Sequence, residues 1–241
     1  MYFYRKMKGV NMEMISIEKK RWIKISKNGP YLVYGNIPLA EKIIVPKGRT
    51  YEFKEGRALP QSDEYALCRC GQSQNMPFCD GAHSKAGFKG EETASKDKYE
   101  KRAEFIEGPG IDLMDDDRCA FARFCHREKG NVWDLTEDSD NEEIINEAIE
   151  AACNCPTGRL VAVAKNGKSY EPVYMPSIDI IQDPEQGVSG GIFVKGNIPI
   201  EASDGIIYEI RNRLVLCRCG RSANKPFCDA MHIPIKFKDN R

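Results

Sequence analysis

Short runs in which apolar and polar residues alternate recur along the chain and predict β-strands. Residues 22–26 alternate in this way, as a strand with one buried face should. Runs of β-forming residues bounded by glycine predict further strands at 31–33 and 192–194. A final strand pair is predicted at 160–164 and 178–182. The pattern therefore indicates a chain built mainly from short strands and turns.

One helix is predicted, over residues 140–153, because its apolar positions recur with helical spacing. Ser139 and Glu142 have the spacing of a capping box at the start of a helix. The polar stretch 84–103 shows little periodicity and is predicted to be a connector. The apolar stripe of the helix consists of Ile144, Ile145, Ala148, Ile149 and Ala152.

The chain contains an internal repeat. The sequence GPYLVYGNIPL at 29–39 returns as GGIFVKGNIPI at 190–200. The longer ALCRCGQSQNMPFCDGAH at 66–83 returns as VLCRCGRSANKPFCDAMH at 215–232. The first copy carries twelve more residues between these halves, around 43–50, which we interpret as a hairpin or loop insertion. Two copies in one chain predict a pair of modules related by a local two-fold axis.

Composition and charge exclude several classes of protein. The 241 residues include 36 Lys and Arg and 36 Asp and Glu, so no net charge attracts nucleic acid or anionic lipid. No apolar run approaches the ~18 residues of a membrane helix. Charged residues interrupt the first 20 positions, unlike a secretory signal. We therefore expect a cytoplasmic protein that binds neither nucleic acid nor membranes.

Cysteine and histidine carry the candidate chemistry, since ten cysteines without a secretory signal indicate metal ligands rather than disulfides. Each copy of the repeat contains Cys-x-Cys-x8-Cys-x3-His, a ligand set that satisfies either a Cys3His zinc site or a [2Fe–2S] cluster. The tight Cys-x-Cys favours the cluster, because zinc knuckles usually have two or more intervening residues. The eight residues are Cys68, Cys70, Cys79 and His83 in the first copy, and Cys217, Cys219, Cys228 and His232 in the second.

The first motif resembles the CDGSH (NEET) iron–sulfur signature position by position. The matching residues are Cys68, Cys70, Ser73, Pro77, Cys79, Asp80, Gly81, Ala82 and His83. The resemblance implies one [2Fe–2S] cluster in each motif. It also implies that Cys68 and Cys70 hold the inner iron, and that Cys79 and His83 hold the outer, more exposed one.

The second motif keeps all four ligands of the family but departs from it beside them. Ala230 and Met231 stand where the family has glycine and a small residue, which predicts that the second cluster is held differently. Asp80 and Asp229 follow the third cysteine of each motif and are expected to cap the turn beside the cofactor. Lys225 is a candidate donor of a hydrogen bond or of charge to a sulfide of the cluster.

The histidine ligands determine the expected chemistry. A neutral imidazole in place of a thiolate makes a cluster less negative and raises its reduction potential. Imidazole can also take up a proton near neutral pH. The sequence therefore predicts a one-electron carrier in which His83 and His232 are released on acidification, at about pH 6–7.

Residues 104–182 interrupt the repeat with a second group of cysteines. The segment resembles a divergent single-cluster [4Fe–4S] ferredoxin-like domain, with Cys-x5-Cys, an acidic helix and Cys-Pro-Thr-Gly-x-Leu. The resemblance implies that Cys119, Cys125 and Cys155 are ligands of a [4Fe–4S] or [3Fe–4S] cluster, and Cys153 is a candidate fourth ligand. The alternative is a domain without a cluster, because three matched cysteines do not complete a four-iron site.

These observations predict an α+β protein, mainly β, with two pseudo-symmetric CDGSH modules at 20–90 and 188–241 and a ferredoxin-like lobe at 104–182 between them. The predicted function is electron transfer, or cluster storage and donation, rather than enzymatic catalysis. Its partner would be a redox protein or a cluster acceptor, and the chain would be a monomer. Two alternatives are a zinc-stabilised interaction module and a subunit of an oxidoreductase.

Overall fold

The structure is a computed structural model that describes residues 21–239. The first 20 residues, in which the sequence predicted no secretory signal, lie outside the described residues. None of the helices in the described part has the length and apolarity needed to cross a bilayer. The strands are β1 (Trp22–Ile25), β2 (Tyr31–Tyr34), β3 (Leu39–Lys47), β4 (Thr50–Glu55), β5 (Glu64–Leu67), β6 (Glu104–Ile106), β7 (Ile111–Asp115), β8 (His126–Arg127), β9 (Gly130–Asn131), β10 (Leu160–Ala164), β11 (Ser177–Asp183), β12 (Val188–Lys195), β13 (Ile200–Glu201) and β14 (Arg213–Leu216). The helices are α1 (Ala82–Lys85), α2 (Tyr99–Arg102), α3 (Val132–Glu137) and α4 (Glu142–Asn154).

The two copies of the repeat share both of the larger sheets. One sheet has the strand order β13-β1-β2-β5, and the other has the order β14-β12-β11-β3-β4. β1 runs parallel to β13 from the second copy, while β11 runs parallel to β3 from the first. Since β3 and β13 occupy the same place in the repeat, each module contributes one strand to the sheet of the other. This exchange confirms the predicted pseudo-symmetric pair and the mainly β, α+β fold class.

The exchanged strands pair in equivalent register and bury equivalent side chains. Ile23 on β1 lies opposite Ile200 on β13, and Ile178 on β11 lies opposite Leu39 on β3. All four side chains are at most 4% exposed and belong to one apolar cluster that draws on both modules. Burial of each such side chain contributes about 1.5–3 kcal/mol. Neither module therefore has a complete core without the other.

The extra residues of the first copy form a hairpin, as the sequence predicted. β3 and β4 pair antiparallel and turn at Gly48, whose φ is +62°. The ring of Phe53 on β4 lies 4.6 Å from that of Phe124 and 6.0 Å from that of Phe193. Phe124 belongs to the middle region and Phe193 to the second module, so the hairpin connects the first module to both.

In the middle region, β6, β7 and β10 form a three-stranded sheet, and α3 and α4 share an apolar cluster with it. α4 confirms the helix predicted at 140–153, and the predicted stripe faces this cluster. Its N-cap is Asn141, whose side chain accepts from the backbone N–H of Ile144 at 3.1 Å. The predicted capping box at Ser139 is wrong, because the Ser139 hydroxyl instead accepts from the backbone N–H of Ile111.

The predicted pairing of strands 160–164 and 178–182 is also wrong. β10 pairs with β7, whereas β11 pairs with β12 on one side and with β3 on the other. β11 therefore shares a sheet with the second module, across the boundary predicted near residue 182. Both strands are short and apolar, and such a pattern does not specify which other strand each will pair with.

At the local two-fold axis the two Cys-x-Cys loops are in close backbone contact. Gly71 has a φ of +74°, and a Cβ atom placed there would lie 2.6 Å from the carbonyl oxygen of Cys219. Gly220 has a φ of +75°, and its Cβ would lie 2.5 Å from the carbonyl oxygen of Cys70. Glycine at both positions allows the loops to approach this closely, since any side chain would meet backbone atoms.

An alanine with a left-handed backbone costs about 1–2 kcal/mol by itself. Gly71→Ala is expected to lower the free energy of unfolding by more than this amount. The added Cβ would also force the two loops apart. Gly87→Ala is a matched control, because Gly87 has a φ of +59° and a Cβ there would meet nothing within 4 Å. Urea unfolding of the metal-free variants measures the difference. Equal losses for the two variants would contradict the close contact at the axis.

Candidate iron–sulfur centres

The first Cys-x-Cys pair follows β5, where both residues are almost fully buried. The Sγ atoms of Cys68 and Cys70 are 3.7 Å apart, and the residues are 1% and 6% exposed. The thiol of Cys70 donates to the Cys68 sulfur, as do backbone N–H groups that include those of Ser73 and Gly71. Against the opposing effect of burial, these donors lower the pKa of Cys68 to about 6. The Cys68 sulfur is therefore prepared to act as an anionic ligand.

The other two donors of the first site come from the following loop and from α1. The Sγ atom of Cys79 and the Nδ1 atom of His83 are 3.4 Å apart, and His83 is half-buried. Asp80 shapes this loop, because its carboxylate accepts from the backbone N–H of Gln74 at 2.8 Å and of Ala82 at 3.0 Å. These backbone donors lower the pKa of Asp80. Asp80 therefore caps the turn that positions Cys79 and His83.

The second copy reproduces this arrangement. The Sγ atoms of Cys217 and Cys219 are 3.7 Å apart, and the Sγ atom of Cys228 lies 3.5 Å from Nδ1 of His232. Asp229 accepts from two backbone N–H groups of its own loop, at 2.7 Å and 3.1 Å. Identical spacing in the sequence thus produces the same geometry twice, with two pairs of donors at each site.

The two loops differ at the residue after the capping aspartate. Gly81 has a φ of +86°, and a Cβ atom placed there would meet nothing within 4 Å. Ala230 occupies the equivalent position with a φ of +66°. A left-handed backbone costs an alanine about 1–2 kcal/mol. The surroundings of Ala230 therefore hold the second loop in its shape against the preference of that residue.

Ala230→Gly is expected to raise the free energy of unfolding by about 1 kcal/mol, because it removes this backbone strain. Gly81→Ala is the reverse change in the first copy and should lower it by a similar amount, since its Cβ would meet no other atom. Urea unfolding of the metal-free chain measures both changes. A neutral or destabilising Ala230→Gly would show that contacts of the alanine methyl group outweigh the strain.

A buried arginine stands between the two cysteines of each Cys-x-Cys, and our sequence analysis missed both. Arg69 donates to the carbonyl oxygens of Ser26, at 3.1 Å, and of Gly90. Arg218 instead forms an ion pair with Asp239, at 2.8 Å, with both side chains almost inaccessible to solvent. Both copies of the repeat have arginine at this position. This repetition is the signal in the sequence that could have pointed to a structural role for the residue.

Two further side chains lie at the second site. Tyr31, from the first module, donates to the carbonyl oxygen of Cys217 at 2.8 Å and so links the two modules at the ligand loop. Lys225 donates to the carbonyl oxygen of Ser222. The thiol of Cys219 is the main cause that lowers the pKa of Cys217 to about 6, and the charge of Lys225 is a minor one. Lys225 therefore lies close enough to act electrostatically on this site.

The middle region brings together three of its four cysteines. Cys119, Cys125 and Cys155 line one largely apolar cavity. Cys153 lies in the last turn of α4 and is not part of this lining. Its backbone carbonyl oxygen accepts from the guanidinium of Arg213. The structure therefore separates Cys153 from the three cysteines with which the sequence grouped it.

The middle region also covers the second site. Apolar residues of the loop 119–125 share a cluster with Cys228. His232 is only 4% exposed, whereas His83 is half-buried. Burial, reinforced by the nearby charge of Arg218, lowers the pKa of His232 to about 4. The two sites therefore have the same donors but different access to solvent.

Comparison with protein-family models finds two families in the chain. The model described as iron-binding zinc finger CDGSH type matches residues 28–84 and 189–233. The model described as divergent 4Fe-4S mono-cluster matches residues 106–165, between them. A search of curated proteins and a search of solved structures found no match. The chain therefore contains two regions of the iron-binding CDGSH type that flank a divergent 4Fe-4S region, and these matches support iron–sulfur binding.

Proposed function

We propose that each CDGSH region holds one [2Fe–2S] cluster and that the protein carries single electrons between redox partners. A bound cluster of this kind supplies one-electron chemistry at a potential set by its ligands and hydrogen bonds. The proposed ligands are Cys68, Cys70, Cys79 and His83 for the first cluster, and Cys217, Cys219, Cys228 and His232 for the second.

The observation that carries this proposal is the grouping of the donors into pairs. In a single tetrahedral zinc site all four donors lie about 3.3–3.8 Å from one another, given bonds of about 2.0–2.3 Å. Here such distances, 3.4–3.7 Å, occur within each pair. In the described part of the chain no three Cys, His, Asp or Glu side chains converge on one metal position. Two pairs suit two metal ions with two protein ligands each, and so support a two-iron cluster over a single zinc ion.

The residues around the inner pairs favour a relatively high reduction potential. Backbone N–H groups of Gly71 and Ser73 donate to the sulfur of Cys68, and those of Gly220 and Ser222 donate to that of Cys217. Donors to ligand sulfurs stabilise the more negative, reduced state, and so does the replacement of one thiolate by histidine. Both CDGSH regions are therefore suited to accept an electron.

We further propose that the first cluster is the more labile in acid and the one donated to an acceptor protein. Its ligand His83 is half-buried, whereas His232 is 4% exposed and apolar residues of the loop 119–125 pack against Cys228 of the second site. The sequence placed release of both histidines at about pH 6–7, but burial moves His232 to a lower range. This difference in solvent access is the specific observation that favours cluster donation from the first site.

Protein purified without oxygen is expected to be red-brown and to contain about four irons and four acid-labile sulfides in its two CDGSH regions. The double variant Cys68→Ser, Cys217→Ser should lose these eight atoms. Cys153→Ser, a cysteine outside both CDGSH sites, is the matched control and should keep them. Iron, sulfide and zinc analysis measures the outcome. Stoichiometric zinc without sulfide in the parent protein would contradict the proposed function.

A further inference from the structure

Two surface grooves lie beside the Cys-x-Cys loops, and the internal repeat relates one to the other. Each groove contains the second cysteine of one motif, Cys70 in the first groove and Cys219 in the second. Each is also lined by the segment that follows the histidine of the same motif, residues 86–89 in the first groove and Ile235 and Phe237 in the second. Both grooves therefore reach a proposed cluster ligand from outside the protein.

The first groove carries three positive charges and no negative one in its described lining. The charged residues of this lining are Lys89, Arg221 and Lys225. Lys89 and Arg221 are exposed, and Lys225 is half-buried and donates to the carbonyl oxygen of Ser222. Within the described part of the chain, no carboxylate forms an ion pair with any of the three cations. The positive charge of the groove is therefore not neutralised by neighbouring side chains that the structure describes.

The second groove has a different character, although the same local fold builds it. Arg221 borders both grooves and is the one charged residue in the described lining of the second. Met76 occupies the position in the first copy that is equivalent to Lys225, so that charge has no counterpart across the axis. Met231 and Ile235 give the second groove an apolar wall instead. Divergence of the two copies has therefore concentrated positive charge beside the first CDGSH site.

The first groove also lies close to the proposed ligands of the first cluster. Cys70, which is 6% exposed, forms part of its wall. Phe88 packs against the buried group that contains Cys68 and Cys70. The backbone N–H of Phe88 donates to the carbonyl oxygen of His83 at 3.0 Å. A partner seated in this groove would therefore lie beside the Cys-x-Cys pair and beside the segment that carries the histidine.

The charge of the middle region favours one orientation of such a partner. Residues 104–150 contain 15 aspartates and glutamates but four lysines and arginines, and none of them belongs to the described lining of the first groove. A negatively charged protein surface is therefore repelled by the middle region and attracted to the groove. Charges arranged in this way mainly raise the rate of productive encounters between two proteins.

The lining of the first groove suits a protein surface better than a small anion. Sites for small molecules enclose most of their ligand and place a few polar groups around it. Here none of the polar lining residues is buried, and Gln72, Lys89 and Arg221 are fully exposed at the surface. Exposed charges of this kind are typical of the short-lived complexes that redox proteins form.

We infer that the first groove is the docking surface for an acidic redox protein, which exchanges single electrons with the first cluster. This inference rests on the proposed function, because it names the class of partner for a site that carries electrons. In the exchange one electron passes from the reduced partner to the oxidised first cluster, and no bond forms or breaks.

The test uses a reduced, acidic flavodoxin as the probe, because its flavin absorbance is distinct from that of the clusters. Stopped-flow absorbance measures its second-order rate of reaction with the oxidised protein. At about 10 mM ionic strength, the double variant Lys89→Gln, Arg221→Gln should react at least about tenfold more slowly than the parent. This difference should largely disappear at about 1 M salt, where the Debye length is only ~3 Å. The matched control Arg49→Gln, Lys54→Gln removes the same charge from exposed residues outside both grooves and should react like the parent.

A second comparison locates the docking surface on one side of the axis. Lys238 is exposed and occupies in the second copy the position of Lys89. Lys89→Gln should slow the reaction about two- to threefold at low salt, whereas Lys238→Gln should leave it unchanged. All variants should keep the iron content, the sulfide content and the reduction potentials of the parent, so that a slower reaction reports docking.

Several outcomes would overturn the inference. These are equal rates for the two double variants, equal slowing by Lys89→Gln and Lys238→Gln, and a parent protein that holds its clusters but takes no electrons from flavodoxin. Inhibition of the parent by pyrophosphate at constant ionic strength, absent from Lys89→Gln, Arg221→Gln, would assign the groove to a small anion and would overturn it too. Each of these results leaves the proposed function standing, whereas a chain without iron and sulfide would overturn both.

Discussion

Lowering the pH from 7 to about 5 is expected to bleach the first CDGSH cluster at least about tenfold faster than the second. His83 is half-buried, whereas His232 is only 4% exposed. Burial and the charges of Arg218 and Arg123 lower the pKa of His232 to about 4, against the opposite effect of Asp183 and Asp229.

A lowered pKa favours the neutral form of an imidazole. The form of His232 that can bind iron therefore persists below the usual titration range of histidine, near pH 6.5. At pH 5 an imidazole whose pKa is about 4, as in His232, is only about one tenth protonated, whereas an imidazole with the ordinary value near 6.5 is almost fully protonated. Protons should therefore compete for the ligand of the second cluster only under considerably more acidic conditions.

Stopped-flow absorbance at several pH values measures this prediction, with two bleaching phases expected in the parent protein. His83→Cys should remove the fast phase at pH 5, because a thiolate ligand replaces the half-buried imidazole. His232→Cys is the matched control and should leave the fast phase unchanged. A single phase in the parent protein, or a fast phase that survives His83→Cys, would contradict the proposed role of solvent access.

Asp239→Asn is expected to lower the free energy of unfolding by about 3–5 kcal/mol, because it removes the carboxylate from a buried ion pair with Arg218. Gln182 and Ser189 also donate to this carboxylate, at 2.9 Å each. The variant thus weakens a buried network beside the Cys-x-Cys loop of the second site, and we expect it to reduce the cluster content of that site as well.

The matched control for this change is Asp204→Asn, which removes the carboxylate of an ion pair with Lys96. The Asp204 side chain is 53% exposed, so solvent screens this ion pair and its loss should cost far less than the loss of the buried pair. Urea unfolding of the two metal-free variants compares these costs. A cost of Asp239→Asn as small as that of Asp204→Asn would show that the buried pair does not stabilise the second site.

The pH dependence of the Asp239 contribution has a definite sign. Burial raises the pKa of Asp239, but Arg218, Gln182 and Ser189 outweigh it and hold the pKa well below its ordinary value. A carboxylate with a lowered pKa contributes its stability above the unfolded value, near 3.9, and loses it only below that. The acid bleaching expected near pH 5 therefore does not arise from this ion pair.

The sequence by itself determined the parts of this protein that depend on local pattern and exact spacing. Helix α4 and the hairpin of β3 and β4 form where the periodicity and the length difference between the copies predicted them. The spacing of the Cys-x-Cys and Cys-x3-His motifs produced the same donor pairs in both copies, at 3.4–3.7 Å. Such features involve residues a few positions apart, so the backbone geometry of one turn or strand is sufficient to specify them.

Other features required competition between partners that are distant in sequence. Ser139 has the residue type and spacing of a helix cap, yet Asn141 caps α4 because the Ser139 hydroxyl is used by the backbone of another segment. β11 was assigned to the middle lobe, but it pairs with β12 and β3. A short apolar strand can pair with several others, and the choice follows from how all of them fill one core.

The tertiary structure alone decided the differences between the two copies and the fate of Cys153. Cys153 and Cys155 are almost adjacent in sequence, but the end of α4 directs them into different surroundings. His83 and His232 have identical spacing in their motifs, yet His232 is only 4% exposed, in the site whose Cys228 packs against the middle region, whereas His83 is half-buried. Solvent access and local charge depend on which segments pack over a site. Some of the groups that act on His232, such as Arg123, lie more than a hundred residues away in the sequence. No local sequence pattern near His232 specifies that these segments will pack there. The sequence therefore predicted which residues are the candidate ligands, whereas the difference in solvent access between the two sites arose from tertiary packing.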